Sequence, residues 1–177
     1  INVTDGAGAK SHMSALATAA ILAQNGIEPI LQFTTRDRNR IAIQGDLLGG
    51  WALDIPNILC LYGDEVKGGD QPDTKEVRDL DTIGILRTAH EIKTKKMYPS
   101  GRKINDAPEF FIGGADTPFK INNDFNGSNL MKKIEAGVEF FQTQYAFDEN
   151  ILKNYMLKLN ELHITDKAYF IIGLGVI

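Results

Sequence analysis

The 177-residue sequence is 43% hydrophobic and 24% charged, which argues for one folded domain with a sizeable core and against disorder. A formal net charge of −4, without a basic block, excludes the electrostatic footprint of a nucleic-acid or anionic-membrane binder. The single cysteine, Cys60, rules out an internal disulfide and fits a reducing, cytoplasmic setting. No apolar run approaches the length of a membrane span, and nothing reads as a signal peptide.

In chain order, strand and helix patterns alternate. A strand over 1–4 ends in Thr4-Asp5 and is followed by a helix over 11–25. Met13, Leu16, Ala17, Ala20 and Ile21 share one stripe of that helix, with Gly26 as its stop signal. A strand over 29–34 ends in Thr34-Thr35-Arg36 before a helix over 38–53. Thr35 or Asp37 is the expected cap, and Arg36, Arg38 and Arg40 are candidates for holding a phosphate or carboxylate. A strand over 57–62 ends in Gly63-Asp64-Glu65, and Cys60 inside it reads as a buried small hydrophobe. A helix over 80–95 follows, and Lys93, Lys95 and Lys96 read as its solvated end.

The next strand, over 108–113, leads into Gly113-Gly114-Ala115-Asp116. A helix over 127–136 carries Lys133, and a strand over 139–145 carries Gln142 and Gln144. Alternation makes those two glutamines face the same way. A helix over 149–163, with Leu152, Tyr155, Met156 and Leu159 at helical spacing, precedes a last strand over 168–175. His12 and His90 fall in helical patterns and His163 near a helix end, too scattered for a metal site, and none is expected.

Near-continuous apolar strands alternating with amphipathic helices predict an α/β fold with a parallel sheet covered by helices. The repeat of about 30 residues suits a (β/α)8 TIM barrel and also a doubly wound sheet. The barrel is preferred: a single barrel domain over residues 1–177, holding about six consecutive strands and lacking the first and last.

Either architecture gathers the C-terminal strand ends at one mouth: Thr4, Asp5, Thr34, Thr35, Arg36, Asp64, Glu65, Asp116, Gln142 and Gln144. This set is rich in hydrogen-bonding groups and has neither a nucleophile elbow nor a phosphate loop, and Gly6-Ala7-Gly8 is too short to count as one. It suits a polar, partly aromatic cofactor. Asp64 is either a turn or cap aspartate or a carboxylate facing a cofactor ring, where it would disfavour an anionic reduced flavin. Gln144 is either a ligand contact or part of a hydrogen-bonded interior layer. Lys133 either reaches the mouth or is solvated.

Taken together, Val3 to Ala7, Leu31 to Arg40, Gly63-Asp64, Asp79-Leu80, Lys132 to Gly137, Gln142 to Asp148 and Ile171 to Ile177 resemble the methylenetetrahydrofolate reductase family. The resemblance implies a flavin barrel enzyme that passes hydride to 5,10-methylenetetrahydrofolate, or a related pterin, giving the 5-methyl form. FAD is the implied cofactor, with FMN as the alternative. NAD(P)H or a partner redox protein is the implied electron donor, in an oligomeric protein. By motif position Thr34 matches the family's flavin-contacting threonine and Asp64 its aspartate near flavin and pterin, the one catalytic assignment. Gln144 matches its folate-contacting glutamine, and Lys133 a lysine near the cofactor phosphates. Two departures stand out: the family's proton-transfer glutamate precedes Ile1, and Tyr62 stands where many members have arginine. The rival readings are a pterin-binding methyltransferase barrel and a non-catalytic flavin- or pterin-binding subunit of an electron-transfer complex.

Overall fold

In the computed structural model, which describes residues 1–122 and 124–175, most helices begin where a short polar side chain answers a free backbone N–H. Ser14 accepts from Ala17 N ahead of α1 (Ala15–Gln24), and Asn39 from Ile41 N and Ala42 N ahead of α2 (Arg40–Ala52). Asp81 does the same at Gly84 N for α3 (Thr82–Lys95), and Asp148 at Asn150 N and Ile151 N for α5 (Glu149–Glu161). The remaining helix, α4 (Ser128–Glu135), is entered instead through Gly127 in the left-handed region, at φ 70°.

Between them run β1 (Asn2–Val3), β2 (Ile30–Thr34), β3 (Asn57–Leu61), β4 (Phe111–Asp116), β5 (Phe140–Ala146) and β6 (Tyr169–Leu174). All neighbours are parallel, and the spatial order is the sequence order, β1 through β6. That order, with a helix in every crossover, is a partial (β/α) barrel of six strands, as the sequence predicts. Val176 and Ile177, part of the expected last strand, lie outside the described residues.

Alternation along the strands divides the sheet into two faces. Leu31, Phe33, Ile58, Cys60, Ile112 and Phe141 face the helices and pack with Ile43, Leu47, Ile85, Leu86, Ile92 and Leu159 into the core. Each such side chain contributes about 1.5–3 kcal/mol by leaving water. Gln32, Thr34, Leu59, Leu61, Ala115 and Gln142 face the other way and line a cavity.

Three local expectations are corrected. The first helix starts at Ala15 rather than near residue 11, because Ser14 caps it, so His12 lies outside it. Its buried positions are Ala15, Ala19 and Ala20, while Met13 and Ile21 of the expected stripe are exposed. The fourth strand begins at Phe111, not 108, and runs through Gly113 and Gly114 to Asp116.

Gly113 stays in the strand because the inner face is filled from next door. A Cβ on Gly113 would lie 2.3 Å from Cζ of Phe140, itself buried and stacked on Phe111 at 5.0 Å. Gly113→Ala is therefore expected to cost about 1–3 kcal/mol by overpacking. Thermal melting checks this, and an unchanged midpoint would mean that the Phe140 ring yields freely.

Candidate active site

The sheet's concave face and the loops at its C-terminal edge enclose a cavity of about 630 Å³. Thr34, Asp64, Gln142 and Gln144 all line it, with Asp5, Tyr62 and Ala115. A second cavity, about 510 Å³, lies between the end of β4, the following loop and helices α4 and α5. Lys133 lines this second cavity with Asp116, Tyr155, Phe119 and Phe125. The two share Ala115, so the structure brings three of the four principal candidates together and sets Lys133 next door.

Thr34 ends β2, buried, and its hydroxyl donates to Asp5 Oδ2 at 2.9 Å. Its own N–H donates to the same oxygen at 2.9 Å. Arg38 completes the cluster, with Nη1 2.6 Å from Asp5 Oδ2 and Nε 2.7 Å from Asp46 Oδ2. With its proton committed to Asp5, the Thr34 hydroxyl has only its lone pairs left to offer the cavity.

Asp64 follows Gly63, whose φ of 86° turns the chain off β3. Its carboxylate Oδ2 accepts from Gly8 N at 2.7 Å, across from the loop after β1. Buried Arg36 crosses the same gap, with Nη1 3.1 Å from Gly6 O and 3.4 Å from Asp64 O. A Cβ on Gly6, at φ 58°, would strike that guanidinium.

The arginine triplet is thus committed to protein carboxylates. Arg36 pairs with Asp37, Arg38 with Asp5 and Asp46, and Arg40 with Asp79. The expected ligand anion is replaced by these partners, and Asn39 caps the helix in place of Thr35 or Asp37. Of the lysines read as solvated, Lys93 instead bridges Glu139 and Phe110 O.

The glutamine strand departs from simple alternation. Gln142 pairs with Ile171, but Tyr145 pairs with Gly173, so β5 carries one extra residue. The bulge is fastened by Gly173 N donating to Thr143 Oγ1 at 2.9 Å. Bulges re-aim side chains beside sites; here Gln144 and Tyr145 both border the cavity and both are exposed.

In the smaller cavity Tyr155 donates to Asp116 at 2.9 Å, and Lys133 Nζ donates to Ala115 O. Burial pushes the Asp116 carboxyl up from its usual value, with the Tyr155 hydrogen bond and the Lys133 charge opposing. Burial likewise lowers Lys133, and it raises Tyr155 well above a free phenol, with Asp116 adding to the shift.

Around the mouth, hydrogen bonds from Arg78 and Arg40 hold the Glu76 and Asp79 carboxyls at about 2 each. Their contribution to stability is fully present above roughly pH 4.5, the unfolded value, and is lost as pH falls through about 2. Both pairs are partly exposed, so the loss is modest. Urea midpoints at pH 5 and pH 2.5 are expected to differ less in Asp79→Asn than in the parent; an equal difference would remove that pair from the account.

The residues fit a flavin on geometry. Both volumes lie in the roughly 300–1,000 Å³ range of small-molecule sites, and they adjoin at Ala115. The larger is lined with acceptors and amides that suit the edge of a ring heterocycle.

A family model described as Methylenetetrahydrofolate reductase matches residues 1–172. No curated protein matches the chain.

Proposed function

The chain belongs to the methylenetetrahydrofolate reductase family, and from that premise we propose that it reduces 5,10-methylenetetrahydrofolate, or a related pterin, to the 5-methyl form. The observation that carries the reading is the meeting of Thr34, Asp64 and Gln144 around one cavity at the strand ends. A bound flavin, FAD or alternatively FMN, would supply the hydride. Thr34 would accept a hydrogen bond from the ring, its own proton being held by Asp5. The Asp64 carboxylate, fixed by Gly8 N, places a negative charge at the mouth and raises the energy of any anion beside it. Beside a bound flavin, that charge would disfavour the anionic reduced form and favour hydride donation. The Gln144 amide offers a donor and an acceptor to the amide-like edge of a pterin. Lys133, in the adjoining cavity, would hold the cofactor's phosphate-bearing tail.

One observation favours a second reading. Among the described residues, the smaller cavity sets Asp116 and Asp124 against one cation, Lys133, a balance that opposes a phosphate-rich tail. A barrel that binds only the pterin and transfers its methyl group would need no such tail.

An absorbance spectrum of the purified full-length protein, from about 300 to 550 nm, separates the two. Flavin bands that bleach on reduction and return with methylenetetrahydrofolate support the reductase. A colourless protein that refuses added flavin but binds folate overturns it in favour of methyl transfer.

A further inference from the structure

We propose that Arg78 is the positioning residue of the mouth: its guanidinium clamps the backbone of Tyr62, Gly63 and Asp64 and so fixes where the Asp64 carboxylate stands. Nη1 donates to Tyr62 O at 2.9 Å, and Nη2 reaches Gly63 O and Asp64 O at 3.4 Å each. Three successive carbonyls converge on one planar fork because Gly63, at φ 86°, turns the chain there. The guanidinium also lies 3.8 Å from the centroid of the Tyr62 ring. It is held from behind by the Glu76 carboxylate, which accepts in addition from Val66 N at 3.1 Å.

The backbone of the same segment grips the neighbouring strand end. Arg78 N donates to Thr35 O at 3.2 Å, and Val77 N to Arg36 O at 2.7 Å. Arg78 takes a φ of 40°, a conformation that strains a non-glycine residue and persists where its surroundings impose it. Arg78 thus touches both strand ends, that bearing Thr34 and that bearing Asp64. A lysine would keep the charge and lose the fork, the stack and the simultaneous reach to three carbonyls.

The proposal rests on the reading that Asp64 faces the cofactor ring, and two readouts separate the clamp from that reading. The first is amide hydrogen exchange of the full-length protein without added flavin. In Arg78→Ala, exchange across residues 62–66 is expected to rise about tenfold or more, with the α5 segment unchanged. Unchanged exchange at 62–66 overturns the clamp whatever the cofactor does.

The second readout is the flavin reduction potential and the rate at which methylenetetrahydrofolate reoxidises the reduced protein. Arg78→Ala is expected to move the potential in the same direction as Asp64→Asn and to slow the step about tenfold. In the Asp64→Asn background it should add less than about twofold, since both act through one group. Arg78→Lys, the variant safest for folding, should recover little of either. Loosened exchange with potential and rate unchanged, while Asp64→Asn shifts both, overturns the positioning role and leaves the Asp64 reading standing. An Arg78→Ala effect beside a silent Asp64→Asn overturns both.

Discussion

Asp64→Asn is expected to slow reduction of methylenetetrahydrofolate about a hundredfold while flavin stays bound, the scale seen when one fixed electrostatic group is removed from a site. Asparagine keeps the shape of the side chain and an oxygen that can still accept from Gly8 N, now 2.7 Å from Asp64 Oδ2. Only the charge is deleted. The backbone contacts from Arg36 and Arg78 use the residue 64 carbonyl and survive the change. The loop should therefore hold its position while its field is lost. Rapid mixing of the pre-reduced protein with methylenetetrahydrofolate measures the rate, and a flavin titration measures occupancy. An undiminished rate removes Asp64 from the chemistry, and loss of flavin would make it a binding residue.

Asp5→Ala is expected to carry the largest loss of stability. Its carboxylate accepts four hydrogen bonds, two from Thr34 and two from Arg38, the shortest 2.6 Å. The Asp5 and Arg38 side chains are 9% and 18% exposed, so water screens the pair little. Breaking a fully buried pair costs about 3–5 kcal/mol; Arg38 retains Asp46, which brings the expectation to about 2–3 kcal/mol. For a chain of this length that lowers the melting midpoint by about 4–12 °C. The variant also frees the Thr34 hydroxyl proton, so weakened flavin binding should accompany the lower midpoint. A fall under about 2 °C would show that solvent compensates the cluster.

The alternation of elements was legible because strand and helix periods differ, and because β1 through β6 pair in sequence order. The mouth was legible for a similar reason: strand ends converge in any parallel sheet, so Thr34, Asp64, Gln142 and Gln144 could be named without coordinates. What resisted reading depends on partners far along the chain. Arg38 looks free beside Asp37 until Asp5, 33 residues earlier, is found against it. The extra residue in β5 has no turn residue to announce it and exists only in the pairing with β6. Arg78 lies in a polar stretch without periodicity, and its importance comes from three carbonyls 14 to 16 residues away. The end of the fourth strand was misjudged because paired glycines read as a turn, whereas Phe140 fills the space that Gly113 leaves.

The strictly sequential strand order also dictates how the protein is assembled. Every strand pair joins neighbours in the chain, so the sheet can grow one βα unit at a time during synthesis, each unit docking on a finished edge. The longest wait falls between β3, ending at Leu61, and β4, beginning at Phe111. Closing that connection costs only about 0.6 kcal/mol more than closing one half as long, yet it divides the mouth in two. Asp5, Thr34, Asp64 and Arg78 all precede β4, and Lys133 and Gln144 follow it. The clamped half is thus complete in the nascent chain before the half bearing the glutamine strand exists.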